Sequence, residues 1–218
     1  MRQRKSSHRG LIILAVVAAG LLGWPARAVA QTAGGEAKAV QATVLGATTV
    51  LSDTGALAAG ASDALEASSI AGSVPSLLAG DTLHAATVGS PDQVYSEASL
   101  GSLGMSLAGN TISADFLMAR ALQATGASGV GTSEIDGLAI NGVSVPVSGA
   151  PNQTIPIFGG MVILNEQQVG SAGALVNALH VIVTGVADVV IASASAGAPP
   201  SSSSTLSPLP GAPLPGLP

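Results

Sequence analysis

Short runs of alternating apolar and polar residues, each closed by a turn signal, recur along most of the chain. Alternation with a period of two is typical of β-strands with one buried face. The most specific example surrounds Asn141-Gly142 within residues 137–147, because both positions of a tight hairpin turn require positive φ. Similar pairs of runs flank Gly159-Gly160 and Gly185-Val186. This pattern predicts an all-β protein, an antiparallel β-sandwich or a barrel-like relative of it.

The N-terminal half gives weaker signals of the same kind. Residues 38–51 predict strands interrupted at Gly46, and residues 82–88 predict another. Residues 112–123 fit either a strand or a helix, and the strand is favoured because the preceding Asn-Thr-Ile-Ser resembles the exit of a hairpin. Residues 62–69 lie in a segment of Ala, Gly and Ser, where periodicity does not separate a short helix from an edge strand.

The first thirty residues have the pattern of an export signal. A basic head precedes the uncharged apolar residues 11–22, and Ala28-Val29-Ala30 supplies the small-x-small site of signal peptidase. The apolar run is shorter than the roughly twenty residues of a membrane-spanning helix. We therefore expect residues 1–30 to be a Sec-type signal peptide cleaved after Ala30, and the protein to be secreted, extracellular or at the cell surface.

The predicted mature chain divides into three parts. Residues 31–37 are expected to be a flexible start, and residues 38–197 a single β-sandwich domain. Residues 198–218 are rich in Pro and Ser, which predicts a disordered, extended spacer. No transmembrane span is predicted in the mature chain.

Charge limits the partners of the mature chain. Only Lys38 and Arg120 remain of the seven basic residues once the leader is removed, against twelve acidic residues, which gives a net charge of −10. Nucleic acids and anionic membrane surfaces attract clusters of Lys and Arg. The sequence therefore predicts no nucleic-acid partner.

The core is predicted to consist of small aliphatic side chains. The mature chain has Tyr95, Phe116 and Phe158 as its aromatic residues, and the chain contains no Cys. Small side chains suit closely stacked sheets, and without disulfides the domain has to rely on packing and backbone hydrogen bonds.

Several segments of the chain resemble the choice-of-anchor P family of bacterial secreted proteins. The similarity lies in residues 112–115, 135–142, 151–154, 163–167 and 176–181. It extends over most of residues 40–196 and is strongest over residues 135–196. The resemblance implies an exported domain joined to varied C-terminal surface anchors, and it implies no catalytic residues. The Pro-rich C-terminal segment departs from the anchored pattern of that family.

Asp53-Thr54-Gly55 is the first candidate catalytic motif, because aspartic peptidases have Asp-Thr-Gly after an apolar strand. Such a site needs two carboxylates sharing a proton, and the chain has no second copy of the motif. Asp and Gly also favour a simple turn after a strand. The turn is the preferred interpretation.

His180, with Asn177 three residues before it, and His84, with Asp81 three residues before it, are the candidate general bases. A hydrolase site would need a positioned Ser and a carboxylate, and no Gly-x-Ser-x-Gly elbow is present. We expect both to be partly buried histidines making local hydrogen bonds. Two isolated histidines without cysteine do not indicate a zinc site.

The remaining candidates are oxygen ligands and surface motifs. Glu134-x-Asp136 and Asn165-Glu166 could contribute to a calcium site, but their spacing does not match known calcium loops. Solvated turn acids are preferred. Asn152-Gln153-Thr154 is a glycosylation sequon and is expected to be a turn. The scarcity of aromatic residues argues against sugar binding by stacking.

Taken together, the sequence predicts a non-enzymatic surface or extracellular-matrix domain with no catalytic, cofactor or metal site. A cell-envelope or matrix component is the expected setting. Two alternatives stay open: an extracellular binding module or adhesin, with or without calcium, and a hydrolase using Asp53 or His180.

Overall fold

A computed structural model describes residues 34–198 of the chain. The predicted signal peptide at residues 1–30 and nearly all of the predicted tail lie outside these residues. Within the described part there is no helix, and therefore no helix that could span a membrane.

Thirteen β-strands follow one another along the chain. The first seven are β1 (Gly35–Val44), β2 (Ala47–Asp53), β3 (Ala64–Val74), β4 (Leu78–Ser90), β5 (Gln93–Leu107), β6 (Asn110–Ala124) and β7 (Val130–Asp136). The last six are β8 (Ala139–Ile140), β9 (Val143–Ser144), β10 (Gln153–Ile157), β11 (Gly160–Gly170), β12 (Gly173–Val183) and β13 (Ala187–Gly197).

The strands form two antiparallel sheets that pack face to face, as predicted for a β-sandwich. The six-stranded sheet has the order β10-β11-β12-β13-β1-β2. The seven-stranded sheet has the order β3-β4-β5-β6-β8-β9, with β7 also paired to β6. The first and last strands, β1 and β13, pair inside the six-stranded sheet, next to its edge strand β2, and so join the two ends of the domain.

Small aliphatic side chains fill the space between the sheets, as the composition predicted. Val40, Leu117 and Leu179 are fully buried and represent β1, β6 and β12 in one continuous core. Phe158, by contrast, is 80% exposed. Burial of aliphatic surface contributes about 25 cal/mol per Å², so a core of this kind depends on tight packing rather than on large rings.

One row of residues interrupts the alternation of the six-stranded sheet. Ser52, Asn165 and Ala192 have φ of 48°, 50° and 52° and lie at the same level on β2, β11 and β13. We call this row the crease. The buried positions shift by one residue there, so that Val176 on one side of it in β12 and Leu179 on the other both face the core.

The predicted hairpins are all present. The turn at Asn141-Gly142 has φ of 52° and 75° and joins β8 to β9, which is an edge strand, as Pro146 just beyond it suggested. The second and third hairpins are β10–β11 and β12–β13. Residues 112–123 lie within β6, so the strand interpretation is confirmed over the helix.

The sequence misplaced the start of the domain and left one element open. Residues 35–37 were expected to be flexible, but they belong to β1 and pair with β13. Gly35 is required there by close packing, since a Cβ at this position would lie 2.8 Å from side-chain atoms of Val94 and Ser96. Residues 62–69 are not helical, and β3 is an edge strand.

Candidate functional site

Three adjacent strands of the six-stranded sheet place a histidine between two carboxylates. His180 Nδ1 lies 2.8 Å from Glu166 Oε2, and His180 Nε2 lies 3.0 Å from Asp188 Oδ1. The amide Nδ2 of Asn177 also donates to Glu166 Oε2, at 2.6 Å. We refer to Glu166, Asn177, His180 and Asp188 as the histidine cluster.

Strand register and the crease together assemble the histidine cluster. Glu166 pairs directly with Asn177, and Asp188 follows the β12–β13 turn and pairs with Ile182, one alternate position from His180. Asn177 and His180 are three residues apart, a spacing that would place them on opposite faces of a regular strand. The crease lies between them, and therefore both can face outward.

The surroundings fix the charges of the histidine cluster. The side chains of His180 and Glu166 are only 13% and 19% exposed, whereas that of Asp188 is 58% exposed. Burial lowers the pKa of His180, but the hydrogen bonds and charges of Glu166 and Asp188 outweigh it and leave this pKa raised. The hydrogen bond from His180 lowers the pKa of Glu166, in spite of the opposing effect of burial.

This geometry favours the protonated form of His180. Ionised carboxylate oxygens only accept hydrogen bonds, so a ring with a carboxylate at each nitrogen has to donate from both. A doubly protonated imidazole has no lone pair with which to take a proton from a nucleophile. What the histidine cluster does chemically is to join β11, β12 and β13 through charge-assisted hydrogen bonds.

A shallow groove of about 230 Å³ lies beside the histidine cluster, on the same outer face. Its lining residues come from β1, β12 and β13 and are Glu36, Lys38, Gln41, Leu175, Asn177, Val190, Ser193 and Ser195. Lys38 Nζ and Glu36 Oε2 form an ion pair of 2.7 Å in the groove. Asn177 is 6% exposed, and its Oδ1 has no hydrogen-bond partner.

The outer face of the seven-stranded sheet has its own charged group, formed by Tyr95, Glu97 and Arg120, which we call the arginine cluster. Glu97 Oε2 accepts hydrogen bonds from the Tyr95 hydroxyl at 2.6 Å and from Arg120 Nε at 2.5 Å. Burial alone would raise the pKa of Glu97, but these two donors outweigh it and hold this pKa low. Burial and the bond to Glu97 raise the pKa of Tyr95 to about 12.

Asp53-Thr54-Gly55 forms the expected turn. Asp53 is exposed, and its Oδ1 accepts the amide of Gly55 at 2.8 Å. Thr54 Oγ1 accepts the amide of Ala37 at 3.0 Å, and Gly55 has φ of 68°, which closes the turn after β2. These contacts fix the end of the strand.

His84 lies on the outer face of the seven-stranded sheet, whereas His180 belongs to the six-stranded sheet. Its Nδ1 is 3.0 Å from Ser68 Oγ and 3.8 Å from Glu66 Oε1, both on the neighbouring strand β3. The structure thus joins His84 to the edge strand rather than to Asp81, the residue noted in the sequence.

The structure disperses the candidate calcium ligands. Glu134 and Asp136 lie on β7 in the seven-stranded sheet, whereas Asn165 and Glu166 lie on β11 in the other sheet. Among residues 34–198, no three His, Asp or Glu side chains are grouped to hold a metal ion. The sequon residue Asn152 is in a turn, with φ of 61°.

Asp188 is the member of the histidine cluster that sequence reasoning missed. The signal was present, because the predicted hairpin across Gly185-Val186 brings the start of β13 beside His180. The link to Glu166 needed the register of β11, which the sequence alone does not supply.

Comparisons of the chain with protein-family models, with curated proteins and with solved structures found no match. The resemblance to the choice-of-anchor P family therefore stays a prediction.

Proposed function

We propose that this chain is an exported scaffold domain of the cell surface or extracellular matrix that acts without catalysis. The observation that carries the proposal is the position of His180 between Glu166 and Asp188. His180, the candidate general base on the six-stranded sheet, joins strands through these contacts. The leader-like residues 1–30, the Pro-rich C-terminal segment and the family resemblance support the exported setting.

The other candidate catalytic group supports the same proposal. Asp53 is exposed and accepts its own turn amide, whereas an aspartic peptidase dyad holds two carboxylates against each other in a cleft. Both candidate groups therefore contribute to the scaffold. A sandwich flanked by the predicted leader and spacer is suited to presenting a surface outside the cell.

The proposal is tested by expressing the full chain with its own leader and separating medium, washed envelope and cytoplasm, each with and without a chelator. We expect a chain starting at Gln31 in the medium or envelope. A chain that stays in the cytoplasm with residues 1–30 attached would contradict the export. Release from the envelope by the chelator would favour the calcium-assisted alternative.

The absence of catalysis is tested on the same purified protein with a mixed peptide substrate at acidic and neutral pH. We expect no turnover above that of the Asp53→Asn variant, which changes one exposed side chain and should leave the fold unaltered. Cleavage that disappears in Asp53→Asn would establish the peptidase alternative instead.

A binding module is the second candidate function, and the groove beside the histidine cluster favours it. Glu36, Lys38 and Ser193 offer polar contacts beside the apolar side chain of Val190, a combination that suits a hydroxyl-rich ligand such as a polysaccharide. Retention on immobilised polysaccharides that is lost in Ser193→Tyr would support it. The matched control is Ser99→Tyr, on the outer face of the other sheet, which should bind as wild type does.

A further inference from the structure

The two sides of the sandwich differ in how their edges are protected. Near β10, residues 145–150 cross between the sheets, and Ser148 N and Gly149 O are hydrogen-bonded to Gln153 and Asn165. On the opposite side, β3 ends the seven-stranded sheet as an edge strand of 11 residues. An edge strand presents unpaired N–H and C=O groups along its free side.

The sequence of β3 lacks the residue types that usually block edge pairing. Proteins protect long edges with Lys, Pro, inward charges or short strands. The strand reads Ala-Leu-Glu-Ala-Ser-Ser-Ile-Ala-Gly-Ser-Val, with Glu66 as its one charged residue and no Lys or Pro. Ile70, next to its central residue, is 91% exposed.

The burial pattern of β3 is symmetric about the point between Ser69 and Ile70. Over the ten residues Leu65–Val74, the partly buried ones are the first and third from each end, namely Leu65, Ala67, Gly72 and Val74. The symmetry arises at Ile70, which lies opposite the left-handed residue Thr82 (φ 51°) of β4. There the alternation shifts by one residue, as it does at the crease of the other sheet.

We propose that β3 pairs antiparallel with β3 of a second copy of this chain, in the register that places Ser69 of one copy opposite Ile70 of the other. The residue pairs are then Leu65 with Val74, Glu66 with Ser73, Ala67 with Gly72, Ser68 with Ala71, and Ser69 with Ile70. In this register every core-facing residue meets a core-facing residue, and Glu66 meets a serine rather than a second carboxylate.

The symmetric arrangement joins two seven-stranded sheets into one continuous sheet across a two-fold axis. Each residue contact occurs twice, as in other isologous dimers. The inference deepens the proposed function by naming a partner for the scaffold. It depends on that function only for its role in the matrix, because the pairing itself is measured on purified protein.

The first test is the mass in solution of the secreted full-length product, measured by light scattering over a concentration series. We expect a dimer that Ile70→Lys abolishes, because two cations are then placed beside the two-fold axis. The matched control is Leu45→Lys, at a site that is 81% exposed in the β1–β2 turn, and it should remain dimeric. A monomer at all concentrations, or a dimer that survives Ile70→Lys, would overturn the proposal.

The second test reads the register, and it is simplified because the chain has no cysteine of its own. A mixture of Ser68→Cys chains and Ala71→Cys chains should form a disulfide-linked pair on mild oxidation. A mixture of Ser68→Cys and Ser73→Cys chains, which is two residues out of register, should not. Equal cross-linking in both mixtures would show that the proposed register is wrong.

Discussion

The histidine cluster and the arginine cluster both join neighbouring strands, on opposite outer faces of the sandwich. Each joins neighbouring strands through a carboxylate that accepts two hydrogen bonds, Glu166 in one and Glu97 in the other. They differ in exposure and in the nature of the cation. The His180 side chain is 13% exposed and can lose its proton as pH rises, whereas that of Arg120 is 45% exposed and always charged.

The difference leads us to expect that exposure to solvent, more than distance, sets what each ion pair contributes to stability. The Glu97–Arg120 contact is the shorter of the two, but water and salt screen it. Around His180, water and salt screen the charges less. Removing His180 leaves the Glu166 carboxylate with few other hydrogen-bond donors. We therefore expect the longer contact to matter more.

The largest effect should come from His180→Ala. It leaves Glu166 partly buried with Asn177 as its remaining donor, and we expect the free energy of unfolding to fall by about 2 kcal/mol, the cost typical of losing hydrogen bonds to a charged group. The measurement is denaturant unfolding followed by circular dichroism, at a pH at which His180 is protonated.

Arg120→Ala is the matched control on the other face. Because the side chain is exposed and Glu97 keeps its bond from Tyr95, the loss should be about 0.5 kcal/mol. Equal losses in the two variants would contradict the view that exposure decides the contribution.

A smaller effect should appear as a pH dependence confined to the histidine cluster. The pKa of His180 is raised in the folded state, so its contribution is complete below the ordinary value of 6.5 and is lost as pH rises through the raised value. The pKa of Glu166 is lowered, so its contribution is complete above the ordinary value of 4.5 and is lost as pH falls through the lowered value.

The stability difference between wild type and His180→Ala should therefore be greatest between pH 4.5 and 6.5 and shrink on either side. Unfolding curves of both proteins from below pH 4.5 to above pH 6.5 measure it. A difference that stays constant above pH 6.5 would mean that His180 contributes through packing and not through its charge.

The sequence predicted those parts of the fold that depend on local chemistry. Asn141-Gly142 indicates its turn because positive φ restricts the residue types. Residues 112–123 alternate clearly enough to favour a strand over a helix. The start of β1 was missed because Gly35 suggested flexibility. In the folded domain that glycine is instead demanded by the neighbouring strand β5.

The histidine cluster and the crease were beyond local reasoning for a common reason. Ser52, Asn165 and Ala192 are left-handed without being glycine, and residue type gives no sign of this conformation at Ser52 and Ala192. They line up only once the strand register is known. His180 could be linked to Asp188 through a predicted hairpin, but its link to Glu166 required a third strand.

The position of Tyr95 on one sheet also determines what near-ultraviolet spectroscopy can report about unfolding. The chain has one Trp and one Tyr, and Trp24 belongs to the segment expected to be removed on export. The phenol of Tyr95, on the outer face of the seven-stranded sheet, is then the sole strong near-ultraviolet chromophore of the secreted form. Its signal reports on that sheet alone, whereas circular dichroism averages over both. Agreement between the two optical midpoints would be a direct measure of whether the two sheets unfold as one unit.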